Sequence, residues 1–246
     1  MVKQANSQFF LIDKRVAALI PAAGSGERMG GHVAKPFLQL NGREILAHTL
    51  DIFERTAVID DVWVIVGAAN LAACRQGIIK RYGFKKVRDV VAGGASRQES
   101  VWRGLCRVDA AVDLVVVHDG VRPFVTETVL QATLACAAEH GAAVSAIPLS
   151  DTLKRVSPQG EVEGTVPREN LWRTQTPQAF RRQLLETAHE QARQRNLCAT
   201  DDAGLLESLG HPVRVVPGLE GNIKITTPDD LGLSERLLGE RPAEGG

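Results

Sequence analysis

Short β-branched segments alternate with segments of helical spacing along most of the chain. Residues 16–20 are all apolar, which is typical of a parallel strand buried on both faces, and residues 45–53 carry apolar side chains at helical spacing. Further strands are predicted at 62–66, 87–91, 114–117, 142–147, 213–216 and 223–226, and further helices at 71–82, 96–106, 126–139, 181–195, 202–209 and from 227 onward. This alternation predicts an α/β fold with a mostly parallel twisted sheet and helices on both faces.

The alternation is interrupted between Asp151 and Leu171. The stretch DTLKRVSPQGEVEGTVPRENL mixes polar residues with Leu, Val and Thr and has a turn sequence at 157–160, so it predicts a projecting hairpin with two polar faces. An isolated two-stranded hairpin is only marginally stable, and its exposed edges need a cover. A second copy of the same hairpin is the simplest symmetric cover, so we expect a homodimer formed through this arm, residues 151–171.

The chain shows no internal repeat and no linker. Its 246 residues are compatible with one large or two small domains. The absence of a linker favours a single domain over residues 15–240, with residues 1–14 and 241–246 as tails.

Composition and charge exclude several classes of protein. With 29 basic and 29 acidic residues and 4% aromatic residues, the chain lacks the positive charge and the stacking platforms of a dedicated nucleic-acid binder. No run approaches the ~20 apolar residues of a membrane span, and the apolar run at 9–12 is too short for a signal peptide. The four cysteines form no Cys-x-x-Cys pair. We therefore expect a soluble, cytoplasmic protein without nucleic-acid or membrane partners.

The loop Pro21–Gly31 follows the first strand and is rich in small residues. Such residues let backbone N–H groups approach an anion closely. The loop is not a Walker A motif, and Met29 replaces the third glycine of a dinucleotide-binding motif. Arg28 within this loop and Lys35 just after it suit phosphoryl or nucleotidyl transfer, although solvated loop charges are an equally weighted alternative.

A second candidate segment, Val117–Pro123, follows a buried strand. Ligands of open α/β sheets bind beyond the carboxyl ends of the strands, so Asp119 is placed to hold Mg²⁺ directly or through water, or else to cap the next turn. Arg122 either contacts a ligand or pairs with a neighbouring acid. His118 is more typical of a core residue than of a ligand or a base.

A third segment, Gly93–Ser100, also follows a strand. Ser96 and Glu99 match a capping box for the next helix, and Ser100 lies one turn inside that helix, where it can face a ligand. Three more polar residues are uninformative when taken singly: Arg168, Thr176 and Lys224.

Together these segments carry a resemblance to a known family. The chain resembles the 2-C-methyl-D-erythritol 4-phosphate cytidylyltransferases of the non-mevalonate isoprenoid pathway. The matching pieces, in family order from Pro21 to Leu231, are PAAGSGERMG, AKPFLQLNGREIL, GGASRQESV, VHDGVRPF, DTLKRV, TVPRENLWRTQTPQAF, TDDAGLLE and NIKITTPDDL.

The resemblance implies a fold, an activity and an assembly. The fold is the Rossmann-like nucleotidyltransferase fold with a β-hairpin dimerisation arm. The activity is transfer of the cytidylyl group of CTP to the polyol phosphate, which gives 4-diphosphocytidyl-2-C-methyl-D-erythritol and diphosphate. Mg²⁺ is expected because the triphosphate carries more charge than the nearby cations neutralise. The arm is expected to reach the site of the partner chain.

The resemblance also implies roles for individual residues. Arg28 and Lys35 correspond to the catalytic cations that stabilise the transition state at the α-phosphorus of CTP. The nucleotide-binding positions are Ala22, Ala23, Gly24, Ser25, Gly26, Gly94, Ala95, Ser100, Asp119 and Gly120. Arg168 and Lys224 are implied to orient the attacking phosphate, and Thr152, Arg122 and Thr176 to surround the methylerythritol part. Asp119 is the one implied neighbour of the metal.

Some positions depart from the family pattern and leave alternatives open. Ala34-Lys-Pro36 replaces the usual Pro-Lys-Gln, and Ala95 and Gly221 stand where acids are common, so Glu220 is the candidate replacement for a second carboxylate. The sister family of ribitol-5-phosphate cytidylyltransferases is the first alternative, although residues 165–172 look more like the methylerythritol enzymes. A regulatory nucleotide-binding module and a nicotinamide oxidoreductase are weaker alternatives.

Overall fold

The computed structural model describes residue 11, residues 13–24 and residues 34–239 of the chain. The strands are β1 Val16–Ala22, β2 Gln39–Leu40, β3 Arg43–Glu44, β4 Asp61–Val66, β5 Val87–Ala92, β6 Leu114–Val117, β7 Ala142–Pro148, β8 Leu153–Val156, β9 Val162–Val166, β10 Trp172–Arg181 and β11 Arg214–Pro217. The helices are α1 Ile45–Arg55, α2 Leu71–Cys74, α3 Arg97–Leu105, α4 Glu127–His140, α5 Arg182–Arg195, α6 Asp202–Ser208 and α7 Pro228–Gly239. Short 3-10 helices lie at Lys35–Phe37 and Ala68–Asn70, and a π-helix lies at Arg75–Lys80.

Seven strands form one sheet in the order β11-β7-β10-β6-β1-β4-β5. All neighbouring pairs are parallel except those of β10, which runs antiparallel to both β6 and β7. Every residue of β4 and β6 is buried, because apolar clusters cover both faces of the sheet. The sequence prediction of a mostly parallel sheet with helices on both faces is confirmed.

One strand was missed by the sequence predictions, and one predicted strand was wrong. The stretch Trp172–Arg181 was not recognised as a strand, yet as β10 it lies between β6 and β7. Its pairing with β7 is irregular between Thr174 and Gln178, and Pro177 sits in this irregular part, where no ladder bond from its nitrogen is needed. Conversely, residues 223–226 form no strand; Ile225 N–H donates to the carbonyl of Val121 outside any ladder.

The predicted hairpin is present, but its surface differs from the expectation. Among the residues that the structure describes, β8 and β9 pair only with each other, and Gly160 N–H donates to the Ser157 carbonyl in the connecting turn. Val156 lies opposite Val162, and these side chains are 49% and 62% exposed. The expectation of two polar faces was therefore wrong, since the hairpin exposes apolar cross-strand pairs.

Side-chain caps begin four of the predicted helices: Ser96 caps α3, Thr126 caps α4, Asp201 caps α6 and Thr227 caps α7. Ser96 Oγ accepts a hydrogen bond from Glu99 N–H before α3, and Thr227 Oγ1 accepts one from Asp230 N–H at the start of α7. The Glu99 carboxylate pairs with Arg103 and Arg193. In the part of the chain that the structure describes, no helix has the length and apolar character needed to cross a bilayer.

Candidate active site

A cavity of about 430 Å³ opens beyond the carboxyl ends of β1, β5 and β6. Parallel strands end at one edge of a sheet, so the loops that follow them meet there. The cavity is lined by Pro21, Ala22, Ala23, Gly24, Lys35, Pro36, Gly94, Ala95, Ser96, Arg97, Ser100, Asp119, Val121, Lys224, Ile225 and Thr226. The structure thus brings together eight of the predicted positions with Lys224: Ala22, Ala23, Gly24, Lys35, Gly94, Ala95, Ser100 and Asp119.

Small residues let the loop after β1 pack against the start of α3. Gly94 N–H donates to Ser100 Oγ at 3.0 Å, and this hydroxyl donates to the Ser96 carbonyl at 2.8 Å. A Cβ atom on Gly93 would lie 2.7 Å from the Ala23 Cβ, so a side chain there would push the two segments apart. The close approach leaves a wall built mainly of backbone, which suits recognition of a nucleotide by main-chain groups.

Asp119 is the centre of a group of charges. Its carboxylate is 2.8 Å from Lys224 Nζ, 3.2 Å from Arg97 Nε and 3.6 Å from Arg122 Nε. Its backbone N–H donates to Thr176 Oγ1 at 3.0 Å. Burial alone would raise the pKa of Asp119, but the charges of Arg97 and Lys224 outweigh burial and hold this pKa well below its usual range. Asp119 is therefore ionised at all ordinary pH values.

Arg97 is a residue of the cavity that sequence reasoning missed. It joins two carboxylates, because its Nη1 also lies 2.7 Å from Asp202 Oδ2. Asp202 is 1% exposed and stands at the first position of α6. Burial would lower the pKa of Arg97, but the two carboxylates raise it. The available signal was position: Arg97 directly follows the Ser96 cap, at the edge where ligands bind.

Lys35 enters the cavity from the 3-10 helix at 35–37. Its Nζ donates to the carbonyl of Thr226 at 2.9 Å, and the side chain is nearly buried. Thr226 is itself fixed, because its N–H and its hydroxyl both donate to Asp230 Oδ2 at 2.8 Å. Lys35 is thus held by the Thr226 carbonyl and lines the same cavity as Lys224 and Asp119.

Three predicted positions lie behind the cavity wall. Gly120 N–H donates to the Pro21 carbonyl, and a Cβ on Gly120 would lie 3.0 Å from that of Ala22. Arg122 Nη1 donates to the Asn222 carbonyl at 2.7 Å, and Thr176 is 4% exposed below Asp119. These residues support the wall rather than line it.

Other predicted positions lie elsewhere. Thr152 and Arg168 are exposed near the hairpin and do not line the cavity; the Arg168 guanidinium donates to the Ser150 carbonyl. Glu220 does not replace a cavity carboxylate, because it pairs with Arg173 at 2.7 Å on the surface. Three predicted positions lie outside the described residues: Ser25, Gly26 and Arg28.

His118 is a core residue, as its sequence context indicated. It is fully buried, its ring lies 5.3 Å from that of Phe53, and its Nε2 donates to the Arg122 carbonyl at 3.0 Å. Burial lowers the pKa of His118 to about 4. The neutral ring closes the turn that carries Asp119 and has no contact with the cavity lumen.

Comparisons with known proteins agree with this geometry. A family profile described as 2-C-methyl-D-erythritol 4-phosphate cytidylyltransferase matches residues 16–240. The chain is 49% identical over 226 residues to the protein of that name from Geotalea uraniireducens, covering 91% of this chain and 97% of the relative. The corresponding protein of Geobacter metallireducens is 47% identical over 229 residues, covering 92% and 98%.

Solved structures show the same fold. The 2-C-methyl-D-erythritol 4-phosphate cytidylyltransferase of Thermus thermophilus superimposes with a TM-score of 0.75 at 38% identity, covering 91% of this chain and 98% of that chain. The 4-diphosphocytidyl-2C-methyl-D-erythritol synthase of Anaerococcus prevotii gives a TM-score of 0.82 at 31% identity, covering 94% and 99%. The ribitol-5-phosphate alternative is not favoured by these matches. On motif order, site geometry and likeness over nearly its whole length, the chain belongs to the 2-C-methyl-D-erythritol 4-phosphate cytidylyltransferase family.

Proposed function

We propose that the cavity at the ends of β1, β5 and β6 is where this chain transfers the cytidylyl group of CTP to 2-C-methyl-D-erythritol 4-phosphate. The products are 4-diphosphocytidyl-2-C-methyl-D-erythritol and diphosphate, in isoprenoid precursor biosynthesis. One observation carries this proposal: Lys35 and Lys224, far apart in sequence, line the same cavity together with the small-residue loop after β1. Two ammonium groups beside a backbone wall suit a reaction in which negative charge spreads over phosphate oxygens.

The wall of small residues supplies the nucleotide site in this proposal. The backbone of Ala22–Gly24, continuing into Ser25 and Gly26, would hold the triphosphate. Gly94, Ala95 and Ser100 would enclose cytosine and ribose, with Asp119 near the ribose and Gly120 supporting the wall behind it. Ala95 offers its backbone alone, which is compatible with recognition of a base edge by main-chain groups.

The acceptor phosphate attacks the α-phosphorus of CTP in the proposed reaction. A phosphate oxygen forms the new P–O bond while the bond to the departing diphosphate breaks, so no other reactant is needed. Lys224 would turn from Asp119 to the incoming phosphate and orient it. Lys35, together with Arg28, would stabilise the additional negative charge at the α-phosphorus in the transition state.

The chemistry of the cavity fits one Mg²⁺ ion that arrives with the triphosphate. Among the described residues, no group of three or more His, Cys, Asp or Glu side chains could hold a metal by itself. Mg²⁺ in phosphate sites is usually bound by one or two carboxylates, substrate phosphates and water, and Asp119 supplies one such carboxylate. When bound, the ion would neutralise triphosphate charge that the nearby cations leave unbalanced.

Removal of divalent cations tests the metal assignment. We expect exhaustive chelation to abolish diphosphate release from CTP and added Mg²⁺ to restore it, because the triphosphate charge is then again neutralised. A chelator already saturated with Mg²⁺ is the control. Full turnover in the chelated sample would contradict the assignment.

We further propose that the chain works as a cytoplasmic homodimer. The exposed apolar pairs of the β8–β9 hairpin support a second copy as its cover, and Thr152 and Arg168 do not line the cavity of their own chain. In the dimer these two residues would complete the substrate pocket of the partner. A reducing compartment suits the four cysteines, since none of them forms a disulfide.

One assay tests the activity. Purified enzyme is given CTP and Mg²⁺ with either 2-C-methyl-D-erythritol 4-phosphate or ribitol 5-phosphate, and diphosphate release is followed. We expect kcat/KM to be at least about a hundredfold higher with the methylerythritol substrate, the scale of discrimination that a few pocket contacts provide. A preference for ribitol 5-phosphate would contradict the proposal.

A further inference from the structure

The loop at residues 218–226, here called the lysine loop, connects β11 to α7 without forming a helix or a strand. It carries Lys224, whose Nζ is 2.8 Å from Asp119 Oδ2. The end of the loop is fixed by Asp230, which binds Thr226, and by Ile225 N–H, which donates to the Val121 carbonyl. Because the loop has no strand ladder, the backbone groups in its first part need hydrogen-bond partners from other segments.

Gln175 provides partners for the beginning of the loop. This residue lies on β10 and is 6% exposed. Its Nε2 donates to the Leu219 carbonyl at 2.8 Å, and its Oε1 accepts from Leu219 N–H at 3.3 Å. The side-chain amide therefore bonds both backbone groups of one residue, as a neighbouring strand would. A Cβ on Gly218 would lie 2.4 Å from Gln175 Oε1, so the glycine leaves the space that the amide occupies.

Asn222 provides the second attachment, two residues before Lys224. It is 1% exposed, and its Nδ2 donates to the Thr176 carbonyl at 2.8 Å and to Gln175 Oε1 at 3.4 Å. Its own carbonyl accepts from Arg122 Nη1 at 2.7 Å. The middle of the loop is thus bonded to β10 and to the turn after β6, the two elements beneath Asp119.

We propose that Gln175 and Asn222 are positioning residues for the reaction, because they fix the lysine loop so that the Lys224 ammonium group faces the cavity. Neither amide lines the cavity, so both act through the loop. The inference rests on the proposed role of Lys224. A positioning role differs from a purely structural role in one respect: the loss of activity on removing the Gln175 amide depends on the presence of Lys224.

A double-mutant cycle tests this dependence. Gln175→Leu keeps a similar volume and removes every hydrogen bond of the amide. We expect it to lower kcat/KM at least about tenfold in the parent, because a small displacement of a reacting group is costly, and no more than about twofold in Lys224→Ala. Equal factors in the two backgrounds would overturn the inference.

Gln98→Leu is the matched control. Gln98 Nε2 donates to the Leu197 carbonyl at 3.0 Å and its Oε1 accepts from Ala199 N–H at 3.2 Å, so the change removes the same kind of bonds from another loop. We expect its factor to be the same with and without Lys224. If the loss of kcat/KM caused by Gln98→Leu also disappears in Lys224→Ala, the positioning role is overturned, because the cycle would then report a general loosening of the fold.

The experiment separates this inference from the proposed function. Parent-like activity in Lys224→Ala would remove the proposed role of Lys224, whereas an impaired Lys224→Ala with additive effects of Gln175→Leu would remove only the positioning role. Hydrogen exchange gives a second measurement: peptides covering 218–226 should exchange faster in Gln175→Leu, and unchanged exchange there overturns the inference. If Gln175→Leu does not fold, Asn222→Ser enters the same cycle with the same outcomes.

Discussion

At the scale of single residues, the cavity is organised around one carboxylate that serves several cations. Asp119 contacts Lys224, Arg97 and Arg122, and Lys35 lies in the same cavity wall. A low-dielectric cleft with such an excess of positive charge attracts a polyanion such as a nucleoside triphosphate. Asp119 holds Arg97 and Arg122 in place before the phosphates arrive, so in the proposed reaction only Lys224 would have to turn toward them, which limits the reorganisation required.

Lys35 should act on the transition state more than on ground-state binding. Lys35→Ala is expected to lower kcat by about a hundredfold or more with a small change in KM, as the loss of a fixed charge at developing negative charge does. Steady-state rates of diphosphate release measure this. The control is Lys14→Ala, which removes a lysine paired with Asp113 outside the cavity. Near-normal kcat with a raised KM would contradict the role.

His118 should make stability depend on pH. Its pKa in the folded chain is about 4, because burial disfavours the charged ring, whereas the unfolded value is about 6.5. Between these values the unfolded chain binds more protons, so the free energy of unfolding falls as pH decreases through this window.

The variant His118→Gln lacks the titrating imidazole and therefore its contribution to the pH dependence of stability. Urea unfolding of parent and variant from about pH 7 to about pH 4 should therefore show a smaller loss of stability with falling pH in the variant. The difference of the two unfolding free energies removes the titration of other groups. A difference that stays constant across this range would refute the assignment.

Some site residues could be predicted from the sequence and others could not. Lys35, Ser100 and Asp119 follow strands in segments rich in glycine, and position relative to a strand is a local property that the sequence displays. Arg97 and Asn222 have partners that are distant in sequence: Arg97 and Asp202 are separated by 105 residues. Such contacts arise only from the folded topology, so no local pattern indicates them.

At the scale of elements, the same distinction applies to the strands. The strands β1, β4 and β6 are evident from composition, because burial on both faces demands apolar side chains at nearly every position; Asp61 at the start of β4 is the exception. β10 was missed because its segment TQTPQ is polar and contains a proline. Its polar side chains form hydrogen bonds in the interior. Gln175 donates to the lysine loop, and Thr176 accepts from the Asp119 backbone N–H.

The hairpin should hold two chains together through its apolar pairs. Val162→Lys is expected to weaken the dimer by about tenfold or more in dissociation constant, because a charge placed in a buried contact lacks a partner. Sedimentation velocity over a concentration series measures this. The unfolding of the isolated chain should change little, since Val162 is 62% exposed.

Gln159→Lys is the matched control for this change. It introduces the same charge in the turn between β8 and β9, outside the valine pair. Its effect on the dissociation constant should be clearly smaller. Equal weakening by both variants would indicate general charge repulsion in place of a specific apolar contact.

At the scale of the whole molecule, the cavity and the hairpin residues Thr152 and Arg168 are separate within one chain. A single domain over residues 15–240 stays a prediction of the sequence. The homodimer proposal joins the two parts, because a symmetric arm exchange would bring each Arg168 to the other cavity. It follows that activity should depend on assembly, and an active monomer at assay concentration would contradict this.

Mixing two inactive variants tests the exchange directly. Lys35→Ala and Arg168→Ala are combined under conditions that allow subunits to exchange, and diphosphate release is followed. If Arg168 acts on the partner, each mixed dimer has one site with both defects and one intact site, so activity should rise toward about a quarter of parent activity at equal mixing. Each variant mixed with itself is the control. No recovery would mean that Arg168 serves its own chain.

The pairing of β7 with β10 has a consequence for how one hairpin could be replaced by another in related proteins. The chain leaves the sheet at Pro148 and returns at Trp172, and these two residues are direct cross-strand partners. The intervening residues 149–171 therefore form a cassette with adjacent ends, and a longer or differently shaped insert can replace it without moving the sheet. Two such chains that carry arms with complementary surfaces would assemble only with each other. The arm would then determine which subunit pairs with which, independently of the chemistry in the cavity.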